Sequence, residues 1–391
     1  MTGKLHRLGE LVAVFGKLGL IGFGGPAALI AMMEDEAVVR RPWLTRERFL
    51  DLVGATNLIP GPNATEMAIH IGYLRAGWLG LIVAGASLIV PATLITGVFA
   101  WAYVRFGSLP RIAPLLYGIK PAVLAVILTA VWRLGRTASK SWRLLAIGLA
   151  VMLASVEGAN EILALFAGGL LGMAWLRIVD RGRPASAAPA ACIGAGVGAL
   201  CSKSAAVATL AAAGAAAVSL WKLGLFFLKI GAILYGTGYV LIAFLEGELV
   251  HGYGWLTQQQ LLDAIAIGQF TPGPLLSTAT FIGYVLLRVP GAVVATVAIF
   301  LPSFVFVAAL NPLLPRLRRS AWMAAFLDAV NVSSVGLMAA VTLRLGGASL
   351  TSWPAWVIAL GAAAVGLRWR VNTAWLVLGG ASAGWLLSPW A

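Results

Sequence analysis

Charge is what this chain has least of. Only 11% of its 391 residues are charged, while 60% are hydrophobic; soluble domains carry about 25% charged residues. The mean hydropathy is +0.93. A soluble domain is excluded, and apolar windows of the about 20 residues a bilayer requires recur along the chain. Cysteine is nearly missing: Cys192 and Cys201 are the only two, in an Ala/Gly-rich stretch without metal-ligand spacing. With three scattered histidines, no metal centre and no cofactor is expected. HExxH, GxSxG and histidine clusters are all lacking, so nothing assembles a nucleophile, a base and a metal; the chain does not read as an enzyme. A cleavage site is lacking after the basic start and "LVAVFGKLGLIGFGGPAALIAMM", and no cleaved signal peptide is expected.

What is abundant is positive charge of a particular kind. The net charge is +14, but the cations sit in short clusters between apolar runs. That distribution fits cytoplasmic loops of a membrane protein. No basic stripe interleaved with aromatics points to nucleic acid.

The chain is also a duplicate of itself. At a shift of 212, Lys17 meets Lys229, Gly24 meets Gly236, Glu34 and Glu36 meet Glu246 and Glu248, and Trp43-Leu44-Thr45 meets Trp255-Leu256-Thr257. Asp51 then meets Asp263, and Pro60-Gly61-Pro62 meets Pro272-Gly273-Pro274. After one deletion the shift is 211, where Arg133-Leu134-Gly135 meets Arg344-Leu345-Gly346. Two homologous repeats, 11–176 and 223–388, are expected around an Ala/Gly-rich linker at 177–222.

Each repeat reads as one series of helices. In the first, spans are expected near 11–33, 76–102, 112–132, 142–156 and 159–176. The segment 49–74 is different: two apolar arms, each too short to span, flank Pro-Gly-Pro. Proline lacks an N–H and disfavours helix at the residue before it, whereas Pro62 suits a first helical turn. A helical hairpin that enters the membrane, turns at Pro-Gly-Pro and leaves on the same side accounts for this; an extramembrane turn is the simpler alternative. Five spans per repeat, an odd number, require the second repeat to be inverted. The loop charges agree, because inversion puts Arg316, Arg318, Arg319, Arg368 and Arg370 on the side of Arg40, Arg41, Arg133 and Arg136. The expected fold is an all-α polytopic membrane protein, with two halves in inverted-topology repeat and about ten transmembrane helices.

Inverted repeats with broken helices near the midplane form transporter sites. A helix starting after Pro-Gly-Pro offers free N–H groups and a partial positive charge, a ready anion site. Asn63, Thr65, Ser277 and Thr278 add donors in the first turns, and Asn57 and Gln269 place amides three residues before each turn. The stretches "GFGGPAA", with Gly24 and Gly25, and "LYGTGYV" predict a second break in each half, or else close helix contact through small residues. Lys120 lies deep in an apolar segment and is a candidate for compensating substrate charge. Lys17 and Lys229 could do the same or could snorkel to the interface. Glu66 is a candidate proton carrier, the alternative being an ion pair with Arg75 or Lys120.

The residues "FGGPAALIAMMEDEAVVRRPWLTRERFLDLVGATNLIPGPNATEMAIHIGYLRAGWLG" at 23–80, and more weakly "WLTQQQLLDAIAIGQFTPGPLLSTATFIGY" at 255–284, resemble the chromate ion transporter family, in its long two-domain branch. The resemblance implies a carrier in the bacterial inner (plasma) membrane that exports chromate and gives chromate resistance, driven by the proton motive force. Asn57 stands where the family's motif has glutamine, and Ala27-Ala28 where a histidine is usual. Sulfate or another anion, and an uncoupled anion channel, remain alternatives. The apolar faces permit a homodimer.

Overall fold

The computed structural model describes residues 2–23, 25–107, 113–180, 218–235, 238–310, 320–369 and 371–387. Gly24 and most of the expected linker lie outside these residues. Within them the chain is helical throughout, with no strand. Five helices are long and apolar enough to cross a membrane: Asn63–Phe106, Tyr117–Ala138, Glu161–Ile178, Leu275–Ala309 and Ala321–Gly347. Shorter apolar helices, Trp142–Val156 and Thr373–Leu387, accompany them.

The first half begins with α1 (Thr2–Ile21), which stops at the glycines and resumes as α2 (Gly25–Glu34). The single span expected over 11–33 is therefore two helices. The tripeptide Trp-Leu-Thr has a local purpose: Thr45 is the N-cap of α3 (Arg46–Thr56), its hydroxyl accepting from the Arg48 N–H at 3.2 Å. Its counterpart Thr257 forms a full capping box with Gln260. After Pro-Gly-Pro comes α4 (Asn63–Phe106), which is broken at Ala76 and Gly77, the latter at φ 66° and ψ −149°. At this break the chain doubles back, because a Cβ on Gly72 would collide with the Gly80 carbonyl. In a straight helix, residues eight apart stand about 12 Å apart along the axis. Pro-Gly-Pro is thus flanked by two short helices, 46–56 and 63–75. The half closes with α5 (Ala113–Ala138), α6 (Trp142–Val156) and α7 (Glu161–Asp180).

The second half repeats this order. It has α8 (Leu220–Ile233), a break, α9 (Leu241–Leu245), α10 (Gln258–Phe270), α11 (Thr278–Leu310), α12 (Ala321–Ser349), α13 (Trp353–Trp369) and α14 (Thr373–Leu387). The second break in α11, at Leu287 and Arg288, matches the one at Ala76 and Gly77.

The halves are interlocked rather than side by side. Within each half the first helix packs on the long one, α1 on α4 and α8 on α11. The remaining helices pair across: α5 packs on α13 and α14, while α12 packs on α6 and α7. Equivalent contacts run in both directions, as in an isologous interface between like subunits. Two arginines repeat the pattern. Arg133 donates to the Gly366 carbonyl, and its counterpart Arg344 donates to the carbonyl of Ser155, which occupies the same repeat position as Gly366. Arg344 also reaches the fully buried Glu246 at 3.0 Å and Glu161 at 3.6 Å.

Candidate functional site

Each Pro-Gly-Pro turn is held by the broken helix of the opposite half. The Gly61 N–H donates to the Leu234 carbonyl at 2.6 Å, and the Gly273 N–H donates to the Gly22 carbonyl at 2.9 Å. Positions 61 and 273, and 22 and 234, are repeat equivalents, so this is one contact made twice. It depends on glycine. Gly61 has φ 147° and Gly273 φ 93°, values that side chains disfavour. A Cβ on Gly61 would also strike the Glu66 carboxylate and come within 2.7 Å of Ser303 Oγ. The two Pro-Gly-Pro turns and the two broken first helices therefore meet as two interlocking pairs.

Around these turns lie polar side chains that are buried without partners. They are Thr65 Oγ1, both carboxylate oxygens of Glu66, Gln269 Nε2, Ser277 Oγ and Ser303 Oγ. Buried polar groups are nearly always paired, and leaving one bare costs about 1–3 kcal/mol. These groups make the turns a candidate place for a ligand or water to supply the missing partners.

The two turns face different spaces. Asn57 and Asn63 line a polar cavity of about 250 Å³, with Lys140, Asp328, Asn331 and Ser334. Asn63 Nδ2 donates to Asn57 Oδ1 at 2.6 Å. That leaves the Asn57 amide donors and one more on Asn63 free to face the cavity. Lys140 is paired with Asp328 at 2.8 Å. The second turn faces a cavity of only about 20 Å³, lined by Gly22, Gly25, Tyr239, Gln269 and Gly273 among others. That space suits one water at most.

The expected residues are thus partly gathered and partly not. Pro60, Gly61, Pro62, Thr65, Glu66, Pro272, Gln269 and Ser277 are buried at the turns. Pro274 is buried there too, while Thr278 turns its hydroxyl back to the Leu275 carbonyl at 2.8 Å. Glu66 has neither of its expected cations: Arg75 is taken by Glu10 at 2.7 Å. Lys17 and Lys229 behave alike. Each is paired with a glutamate of its own half, Lys17 with Glu36 at 2.9 Å and Lys229 with Glu248. Both lysines are about half exposed, and in each half that ion pair engages the lysine that was the candidate for charge compensation. Lys120 lies close enough to the buried Asp263 to interact with it through charge, while the Tyr103 hydroxyl donates to Asp263 at 2.8 Å; the Lys120 counterpart Asn331 lines the larger cavity. Sequence reasoning missed Lys140, Ser303 and Tyr239 as neighbours of the turns. Lys140 was hidden among the loop cations, Tyr239 stood inside the "LYGTGYV" stretch without being singled out, and Ser303 carries no local signal.

Interlocked repeats of apolar helices, with broken segments meeting from both halves, define the class: a multi-pass helical membrane protein built on a duplicated unit. The profile of the chromate transporter family matches residues 9–173 and again 221–385, and the chain belongs to that family. The chain is 31% identical to the chromate transport protein of Cupriavidus metallidurans over 97% of its own length and 93% of that protein. It is 32% identical to the chromate transport protein of Pseudomonas aeruginosa over 97% and 92% of the two chains. With a probable chromate transport protein of Synechococcus elongatus the identity is 31%, over 91% and 88%. No solved structure matches.

Proposed function

We propose that this protein is a secondary transporter that exports chromate, a tetrahedral oxyanion, across a bacterial inner membrane at the expense of the proton motive force, and so gives chromate resistance. The observation that carries the reading is the set of buried, unpartnered polar groups at the two Pro-Gly-Pro turns. A tetrahedral oxyanion wants many donors: Asn57, Asn63, Thr65 and Ser303 stand at the first turn, which faces the larger cavity, and Gln269 and Ser277 stand at the second, which faces a separate, closed space. Each repeat, 11–176 and 223–388, contributes one turn, with 177–222 as the connector. In an inverted arrangement the short helices on either side of Pro-Gly-Pro enter the membrane from opposite faces. Backbone that is not helical is tolerated at such depth only where protein buries it or water reaches it, and both turns are buried.

Glu66 is the coupling residue in this reading. Its carboxylate has no hydrogen-bond or ion-pair partner among the described residues, and it lies against the Gly61 turn. A carboxyl group so placed can take a proton as the anion leaves and release it on the other side. The difference between a roomy cavity at one turn and a closed one at the other suits a carrier seen in one of its two access states. A channel would need both open together.

Sulfate has the same shape and charge, and it is the competing substrate. Uptake of labelled chromate into everted vesicles, with and without a protonophore and with excess sulfate, separates the cases. Accumulation that collapses with the proton gradient and survives sulfate supports the proposal. Equal competition by sulfate makes the protein a general oxyanion carrier, and flux indifferent to the gradient removes the coupling.

A further inference from the structure

Among the described residues, one side chain other than glycine has a positive φ: Arg288, at φ 58° and ψ −147°. That region of backbone space is essentially reserved for glycine. Its repeat counterpart Gly77 adopts the same conformation, φ 66° and ψ −149°. Glycine therefore suffices for the turn, and arginine is held there against backbone strain. Arg288 is exposed and makes no ion pair among the described residues that would explain it. Its guanidinium lies over the Tyr284 ring, 6.0 Å from the centroid.

Tyr284 and Val289, on either side of Arg288, form part of a groove of about 470 Å³ between α4 and α11. Its walls are apolar: Leu94, Val98 and Trp101 from one helix, Val289 and Val293 from the other. Leu94, Val98, Val289 and Val293 are all more than half exposed, so the groove lies open on the outer surface of two long apolar helices. The three threonines that line it have no hydroxyl to spare. Thr93 donates to Val90 O at 2.9 Å, Thr280 shares a 2.8 Å bond with Thr296, and Thr296 donates to Ala292 O at 2.7 Å. A transported oxyanion would find no free threonine donor in the groove, whereas a hydrocarbon chain would meet mainly apolar side chains.

We infer that this groove binds an anionic phospholipid of the membrane, with an acyl chain along α4 and α11 and the headgroup phosphate on Arg288. An arginine fork suits a phosphate, and Trp101 and Tyr284 belong at a headgroup boundary. The inference does not rest on the identity of the transported ion.

The test compares the protein with Arg288→Gly and Val293→Trp in nanodiscs of phosphatidylcholine with and without phosphatidylglycerol. Lipid retention is read by native mass spectrometry and stability by Tm. The wild type should retain phosphatidylglycerol selectively and gain Tm from it. Arg288→Gly should weaken that retention about fivefold, the factor one interfacial cation contributes, and should match or exceed the wild-type Tm in pure phosphatidylcholine because strain is released. Val293→Trp should exclude the acyl chain with Arg288 intact. Equal retention by Arg288→Gly, or a lower Tm for it without anionic lipid, overturns the inference. So does loss of a dimer in either variant, which would make a second copy the occupant. Chromate raising the wild-type Tm but not that of Arg288→Gly would make Arg288 an anion site for the cargo, and would overturn it as well.

Discussion

Adding one methyl group at Gly61 tests the turn directly. The backbone there, at φ 147°, admits a side chain only with strain of about 1–3 kcal/mol. The added Cβ would also strike the Glu66 carboxylate and press within 2.7 Å of Ser303 Oγ, and overpacking of that kind costs about 1–3 kcal/mol. Gly61→Ala should therefore destabilise the protein by about 2–6 kcal/mol and move Glu66 from its place. Gly77→Ala is the matched control. Gly77 also has a positive φ, 66°, but a Cβ there meets nothing within 4 Å, so only the strain of about 1–3 kcal/mol applies. Thermal unfolding in detergent would measure both losses, and chromate uptake per inserted molecule would measure function. Gly77→Ala should keep most of its flux, while Gly61→Ala should lose nearly all of it. Equal flux in the two variants would refute the idea that the first Pro-Gly-Pro turn forms the transport site.

Glu66→Gln keeps the volume but cannot titrate. It should abolish chromate accumulation driven by a proton gradient while leaving chromate exchange between equilibrated compartments, and a variant still sensitive to the gradient would remove Glu66 from coupling. Arg344→Ala leaves Glu246 fully buried with His251 at 3.2 Å as its remaining partner. Breaking such a pair costs about 3–5 kcal/mol, to be read as a lower Tm; an unchanged Tm would mean that the clamp between the halves contributes little. Glu36 concerns pH. A hydrogen bond from Lys17 holds its carboxyl below the ordinary 4.5, opposed by burial and aided by Arg41. A lowered folded value means stability that is present above the unfolded value and lost as pH falls through the folded one. Lys17→Met should therefore flatten the loss of stability on acidification below about pH 4.5; an unchanged acid limb would show that Lys17 is not the cause.

Much of the architecture was legible because it is encoded locally. Thr45 and Thr257 cap helices since a hydroxyl three residues before an N–H can accept from it. The prolines at 60, 62, 272 and 274 end and begin helices because they lack a donor. Neither feature depends on the rest of the chain. The sharp breaks at 76–77 and 287–288 were only half legible. Gly77 gives a hint, but Arg288 in the same geometry runs against every local preference.

The amino-acid sequence by itself determined the membrane class, the duplication, the two Pro-Gly-Pro turns and the chromate transporter kinship, since composition, repeat and motif survive without a third dimension. Tertiary structure alone decided which residues meet. Lys17 and Lys229 are equivalent, and each finds a glutamate 19 residues ahead only because α1 and α8 pack beside the turns that follow them. Gly61 finds Leu234, and Gly273 finds Gly22, only because the halves interlock. Those partners lie more than 170 residues apart, and hydrogen bonds over that separation are set by how apolar helix faces pack, which no local pattern records.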